Sequence, residues 1–185
     1  PEMFHTSFSM NTKLAEPMGN SNGIDFLKTI STTFDCAIYT SLIISENGNI
    51  FNRGLFIQPA GEIIFYNKRK TFGLAGEDNV YTAGESQVIV DYKNWKINLQ
   101  ICYDLRFPEL VANRIELDGN PTYDIILYVA NWPEKRANHW DALLKARAIE
   151  NQAVVLSCNR VGIDFNKQSY IGGSCGIGPL GELLS

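Results

Sequence analysis

Long apolar runs are missing from this sequence of 185 residues, and none approaches the roughly 20 residues needed to cross a bilayer, so no membrane partner is expected. The amino end has no basic stretch followed by an apolar one, so no secretory signal is read there. A basic stripe is missing as well. Lys and Arg number 16 against 20 Asp and Glu, and they are scattered, so nothing in the chain would attract a phosphate backbone and nucleic acid is not an expected partner. Histidine is scarce, with His5 and His139 the two present, which leaves a Cys–His pair thinly supplied. The four cysteines, Cys36, Cys102, Cys158 and Cys175, lie far apart with no C-x-x-C pair. Structural zinc is therefore disfavoured, and reduced thiols in a cytoplasmic chain are the expectation.

What is present suffices for one sizeable core: 45% of the residues are hydrophobic and 11% aromatic. A single domain over 1–185 is expected. The chain opens on Pro1-Glu2-Met3-Phe4 and closes on Gly181-Glu182-Leu183-Leu184-Ser185 within an expected hairpin, which reads as a domain incomplete at both ends.

Residues 35–72 hold three apolar, β-branched and aromatic runs separated by Asn47-Gly48-Asn49 and Pro59-Ala60-Gly61-Glu62, a pattern that predicts an antiparallel meander. Residues 73–86 lack either period and read as a loop that could lie over a site. Strands are expected over 87–92 and 96–102, then a helix over 108–117, with Pro108 suited to its first turn. The apolar run 123–130 reads as a strand buried on both faces, ended by Asn131-Trp132-Pro133. Helical spacing of Trp140, Leu143, Leu144 and Ala148 predicts an amphipathic helix over 137–152, followed by a strand over 153–159 and a glycine-punctuated hairpin in the tail. The whole reads as α/β with a mixed, helix-covered sheet.

Cys102 closes an apolar strand before a sharp turn, a seat that exposes a side chain near outward-pointing amides. Taken alone it reads as a small buried hydrophobe sooner than as a nucleophile. A free thiol is mostly protonated at neutral pH, so a nucleophilic Cys needs a base or cation beside it. Lys68, in Phe65-Tyr66-Asn67-Lys68-Arg69-Lys70, reads on composition as a solvated strand end, and Glu2 is not reached by any spacing argument.

The chain resembles the nitrilase superfamily of carbon-nitrogen hydrolases, and within it the omega-amidase type. The blocks that carry the resemblance are Pro1-Glu2-Met3-Phe4, Tyr66-Asn67-Lys68-Arg69, Cys102-Tyr103-Asp104-Leu105-Arg106-Phe107-Pro108, Tyr128-Val129-Ala130-Asn131-Trp132-Pro133, His139-Trp140 with Ala146-Arg147-Ala148-Ile149-Glu150-Asn151-Gln152, and Cys158-Asn159-Arg160-Val161-Gly162. They run in order over nearly the whole chain. The family pattern departs at Ser7, where Gly is common, and at Lys70-Thr71, where His-Leu is common, which puts pocket shape rather than chemistry in doubt.

The resemblance implies a four-layer α-β-β-α sandwich with mixed sheets and a Glu-Lys-Cys catalytic set, here Glu2, Lys68 and Cys102. It implies hydrolysis of a small amide through a thioester, with no metal and no cofactor, by a homodimer or higher homo-oligomer. Carboxylate, ammonium and thiol make coherent chemistry, with Glu2 as base, Cys102 as nucleophile, and Lys68 with the Tyr103 amide meeting the oxyanion. Glu77 is the candidate supporting carboxylate, against a solvated loop glutamate. Arg106 is read either as a bidentate grip on a substrate carboxylate or as an ion-pair partner of Asp104 or Glu109. Trp132 is read as pocket lining or core. His139, Arg147 and Glu150 are read as scaffold. Rival readings keep the same residues but take a nitrile or carbamoyl amine, or make the chain a silent binding member of the fold or a redox-sensing thiol protein.

Overall fold

A computed structural model describes residues 1–185, and the chain divides into two compact units, Glu2–Ser86 and Gln87–Ser185 with Pro1. In the first, β1 (Glu16–Pro17), α1 (Asn22–Thr33), β2 (Ile38–Glu46), β3 (Asn49–Ile57) and β4 (Ile63–Asn67) follow in order. Their sheet has the order β1-β2-β3-β4, with β2, β3 and β4 antiparallel and β1 parallel to β2. The meander is as the turns predict. Asn47 and Gly48 form the two-residue link with φ of 50° and 78°, the left-handed pair that Asn-Gly adopts at small cost.

Period-two alternation gives this sheet two faces. Leu42, Ile44, Leu55 and Ile57 bury one face against Ile24 and Leu27 of α1. Ile43 turns to the other, with Met3 and Tyr81, and Asn52 pairs opposite it in the register. Helix α1 is an addition to the elements read from the sequence. Ser21 caps it by accepting from the Ile24 amide at 3.0 Å, but Gly23 near its start and Ser31, Thr32 and Thr33 at its end dilute the helical signal.

The second unit contains β5 (Ile89–Tyr92), β6 (Trp95–Ile101), β7 (Ile125–Ala130), α2 (Ala137–Asn151), β8 (Val154–Asn159), β9 (Val161–Ile163), β10 (Ser169–Ile171) and β11 (Cys175–Ile177). Its main sheet has the order β11-β8-β7-β6-β5, parallel through β6, β7 and β8 and antiparallel at both edges. Ile126, Tyr128, Ala130 and Val155 on one face pack against Trp140, Leu144 and Ala148 of α2. The α/β class and the mixed sheets stand as expected. No helix is long and apolar enough to cross a membrane.

The helix expected over 108–117 does not form. One 3₁₀ turn, Pro108–Leu110, takes part of its place, and an isolated bridge joins Ile115 to Pro121. The reason is Asn113, whose side-chain amide donates to the carbonyls of Tyr123 and Asn151 at 3.0 and 3.1 Å and so offers the backbone a non-helical solution. In the tail, Gly178 and Glu182 close a hairpin bridged at Ile177 and Leu183, and a second hairpin, β9 with β10, precedes it.

Candidate active site

In the Glu2–Ser86 unit, Lys68 stands one residue past β4, where its amide donates to the Asn52 carbonyl at 3.0 Å and its carbonyl accepts from the Gly84 amide at 2.8 Å. Gly84 is required for that approach. A Cβ there would lie 2.2 Å from the Asn67 carbonyl oxygen. Glu2 is carried in by a pinned segment: the Met3 amide donates to Ser41 Oγ at 2.8 Å, and Met3 itself is fully buried.

Of the predicted site residues in this unit, Lys68 meets both Glu2 and Glu77. Lys68 Nζ donates to Glu2 Oε1 at 2.8 Å and to Glu77 Oε1 and Oε2 at 3.1 and 2.9 Å. Glu2, Lys68 and Glu77 are each no more than 1% exposed, so two carboxylates and one ammonium share a buried enclosure. Such a cluster is tolerable only because each charge has partners. Glu77 Oε2 also accepts from the Phe72 amide at 2.6 Å, and the Phe8 ring lies 5.3 Å from Lys68 Nζ. Glu77 is thus a buried anchor of Lys68 rather than a solvated loop residue. A carboxylate beside a fixed ammonium can accept a proton, while the ammonium meets a developing oxyanion.

Two groups in this enclosure escape sequence reasoning. Asn52 Nδ2 donates to Glu2 Oε1 at 2.8 Å and to Glu77 Oε1 at 3.0 Å, and nothing in the strand pattern marks it apart from a polar residue amid apolar ones. The Tyr81 hydroxyl donates to the Ser9 carbonyl. Burial pushes Tyr81 well above the usual phenol range, the charges of Glu77 and Glu2 add to that, and Lys68 opposes it, so Tyr81 is a permanent donor.

In the Gln87–Ser185 unit, Cys102 lies where expected, directly after β6 and at the start of a 3₁₀ turn. Its φ is +46°, the left-handed region that costs a side-chain-bearing residue on the order of 1–2 kcal/mol. Surrounding bonds hold the strain: Asp104, fully buried, accepts from the Ile101 amide through Oδ2 at 3.0 Å, and Arg147 Nη2 donates to the Leu105 carbonyl at 2.6 Å. Arg147 also pairs with Glu150 at 2.7 Å, the scaffold role expected of both. Tyr103 follows on the same turn, its ring edge-on to Phe107 at 5.2 Å.

Arg106 Nη2 is 3.0 Å from His139 Nδ1, and its guanidinium lies over the Trp132 ring at 4.9 Å. Trp132 is 4% exposed, packs against Trp140 and donates from Nε1 to the Arg136 carbonyl at 2.8 Å, which places it in the core beneath Arg106. Of the other thiols, Cys36 and Cys158 are exposed and Cys175 is half-buried, all free. Tyr170 on β10 feels the charge of Cys102. Burial raises its hydroxyl above the usual range, the Asp164 carboxylate that accepts its hydrogen bond adds to this, Arg160 opposes it, and charge on Cys102 adds again. No periodicity in the glycine-rich tail points to it.

The sequence matches the family model for carbon-nitrogen hydrolases over residues 1–185. Among relatives, an omega-amidase, YafV, of Yersinia enterocolitica is 45% identical over 183 residues, 99% of this chain and 69% of the relative. A 2-oxoglutaramate amidase of Bacillus subtilis is 30% identical over 188 residues, 100% of this chain and 71% of the relative. Among solved structures, XC1258 of Xanthomonas campestris, a CN-hydrolase superfamily protein with an arsenic adduct in its active site, superposes with a TM-score of 0.96 at 39% identity, over 100% of this chain and 71% of that one. The protein belongs to the carbon-nitrogen hydrolase family.

Proposed function

We propose that the chain is an amidase of the omega-amidase type, releasing ammonia from the terminal amide of a small 2-oxo dicarboxylic acid monoamide such as 2-oxoglutaramate or 2-oxosuccinamate. The observation that carries the reading is the buried Glu2–Lys68–Glu77 cluster, with Lys68 Nζ 2.8 Å from Glu2 and 2.9 Å from Glu77. Relatives named for omega-amidase and 2-oxoglutaramate amidase activity support the substrate class.

In this reading the Glu2 carboxylate takes the proton of the Cys102 thiol, and the thiolate adds to the amide carbon. The carbonyl oxygen becomes an oxyanion, met by the Lys68 ammonium and the Tyr103 amide N–H. As the oxyanion collapses, the carbon–nitrogen bond breaks and Glu2 returns its proton to the departing nitrogen, giving ammonia and a thioester at Cys102. Water, deprotonated by Glu2, then adds to the thioester carbon, and the second collapse expels the thiolate and frees the carboxylic acid. Glu77 acts through Lys68, fixing its ammonium. Arg106, raised over Trp132, is the candidate grip on the distal carboxylate of substrate.

Span 1–185 is read as one carbon-nitrogen hydrolase domain because the family match covers all of it. A homodimer or higher homo-oligomer is read from the resemblance, and light scattering behind size exclusion tests it; a cytoplasmic location is read from the sequence pattern and its scattered cysteines.

A panel of 2-oxoglutaramate, 2-oxosuccinamate, their nitrile counterparts and a carbamoyl amine tests the function through ammonia release. Faster turnover of a 2-oxo acid amide is expected. Preference for the nitrile or the carbamoyl amine sinks the amidase reading. If no substrate turns over and iodoacetamide labels Cys102 no faster than Cys36, Cys158 or Cys175, the chain is a silent member of its family.

A further inference from the structure

We infer that Asn52 is a positioning residue for the reaction, a neutral bridge that holds Glu2 and Glu77 on the single ammonium of Lys68; this rests on the reading of Glu2 and Lys68 as reacting groups. Like-charged carboxylates brought to one cation repel each other, and one cation cannot by itself fix both. Asn52 supplies what is missing. Its Nδ2 group carries two protons and sits 2.8 Å from Glu2 Oε1 and 3.0 Å from Glu77 Oε1, the same two oxygens that Lys68 Nζ approaches at 2.8 and 3.1 Å. The four groups close a ring of alternating donors and acceptors around two carboxylate oxygens.

The amide orientation is fixed by this chemistry, because the flipped rotamer would set Oδ1 against two carboxylate oxygens. This orientation leaves Asn52 Oδ1 buried with no hydrogen-bond partner. Burying an unpaired acceptor is unfavourable, so a residue kept for sheet packing alone would be better replaced by an apolar one. Asn52 is 1% exposed, pairs with Ile43 on β2, and accepts through its own carbonyl from the Lys68 amide at 3.0 Å. One residue thereby fixes Lys68 through the backbone and its two carboxylates through the side chain.

Two measurements test this. Side-chain amide NMR of the ¹⁵N-labelled protein should show both Asn52 Nδ2 protons shifted downfield and slow to exchange, with Glu77→Gln moving one resonance and Glu2→Gln moving the other. Asn52→Leu, of similar shape but without donors, should lower kcat by about tenfold to hundredfold while KM stays within about twofold. The inference is overturned if neither carboxylate substitution moves an Asn52 resonance, or if folded Asn52→Leu keeps kcat within threefold of the parent. Should Asn52→Leu fail to fold, the resonances in the parent, Glu2→Gln and Glu77→Gln proteins decide. If the parent protein hydrolyses no amide, the proposed function fails while the resonances still decide whether the bridge exists.

Discussion

Lys68 and Cys102 are held by opposite physical means. Around Lys68, in the Glu2–Ser86 unit, restraint comes from side chains: two buried carboxylates hold the ammonium, and a buried amide bridges those carboxylates. Around Cys102, in the Gln87–Ser185 unit, restraint comes from backbone: a left-handed residue is forced between a parallel strand and a 3₁₀ turn, with Asp104 and Arg147 bonding main-chain groups on either side. A charged group must be held by partners, because burial without them is prohibitive. A thiol needs no such pairing, so its aim can be set by strain that the sheet overrides.

The comparison breaks most visibly at Cys102, the proposed nucleophile. Cys102→Ala should lower kcat by about 10⁴-fold or more while leaving the fold intact, measured as ammonia release and circular dichroism. Cys102→Gly should be as inactive yet more stable than Cys102→Ala by about 1 kcal/mol in urea unfolding, because Gly adopts a φ of +46° freely. If the alanine variant is the more stable, strain does not hold Cys102.

Lys68→Met does the converse, leaving Glu2 and Glu77 buried without their cation. A loss on the order of 3–5 kcal/mol in unfolding free energy is expected, together with loss of turnover. A variant as stable as the parent would mean that the two carboxylates do not depend on Lys68. Gly84→Ala attacks the same cluster from the backbone. Its new Cβ would meet the Asn67 carbonyl at 2.2 Å and displace the neighbouring Lys68, with a cost of about 1–3 kcal/mol and a fall in kcat. Thermal melts and kinetics on one sample check both parts.

Legibility in the sequence followed the same division. Turn chemistry such as Asn47-Gly48 and the apolar run of β7 announce themselves locally, so the meander and the central parallel strand were readable. Cys102 was readable as a position, since a strand ending at a turn is a local pattern, whereas its strain is not. Glu2, Lys68 and Glu77 became readable only through family blocks, because no spacing rule links residues that meet across a sheet face. Asn52 and Tyr81 carry no such block and surface only in three dimensions. Region 108–117 misled for a related reason: Asn113 is committed to carbonyls of Tyr123 and Asn151, contacts that a helical reading of Pro108 and its neighbours does not contain.

The smallest expected effects lie away from both sites, where side-chain restraint is partly solvated. Ser21→Ala removes the cap of α1 and should lower stability by about 1 kcal/mol. Glu16 sits behind that cap, its Oε2 accepting from Ser21 Oγ at 2.5 Å and the Gly23 amide at 2.9 Å, its Oε1 3.1 Å from His5 Nε2. Burial alone would raise its carboxyl, but the bonds from Ser21 and Gly23 and the neighbouring His5 outweigh it and hold it below the usual glutamate range. Between the lowered folded value and the unfolded one near 4.3, the unfolded chain binds more protons, so this contribution is whole above about pH 4.3 and is lost as pH falls through the folded value. The parent should therefore melt above Glu16→Gln at pH 6, with the gap closing toward pH 3, and Ser21→Ala should flatten that dependence. A gap that stays constant with pH would show that Glu16 stabilises α1 without its charge, and the solvated cap would then resemble Cys102, held by geometry, rather than Lys68.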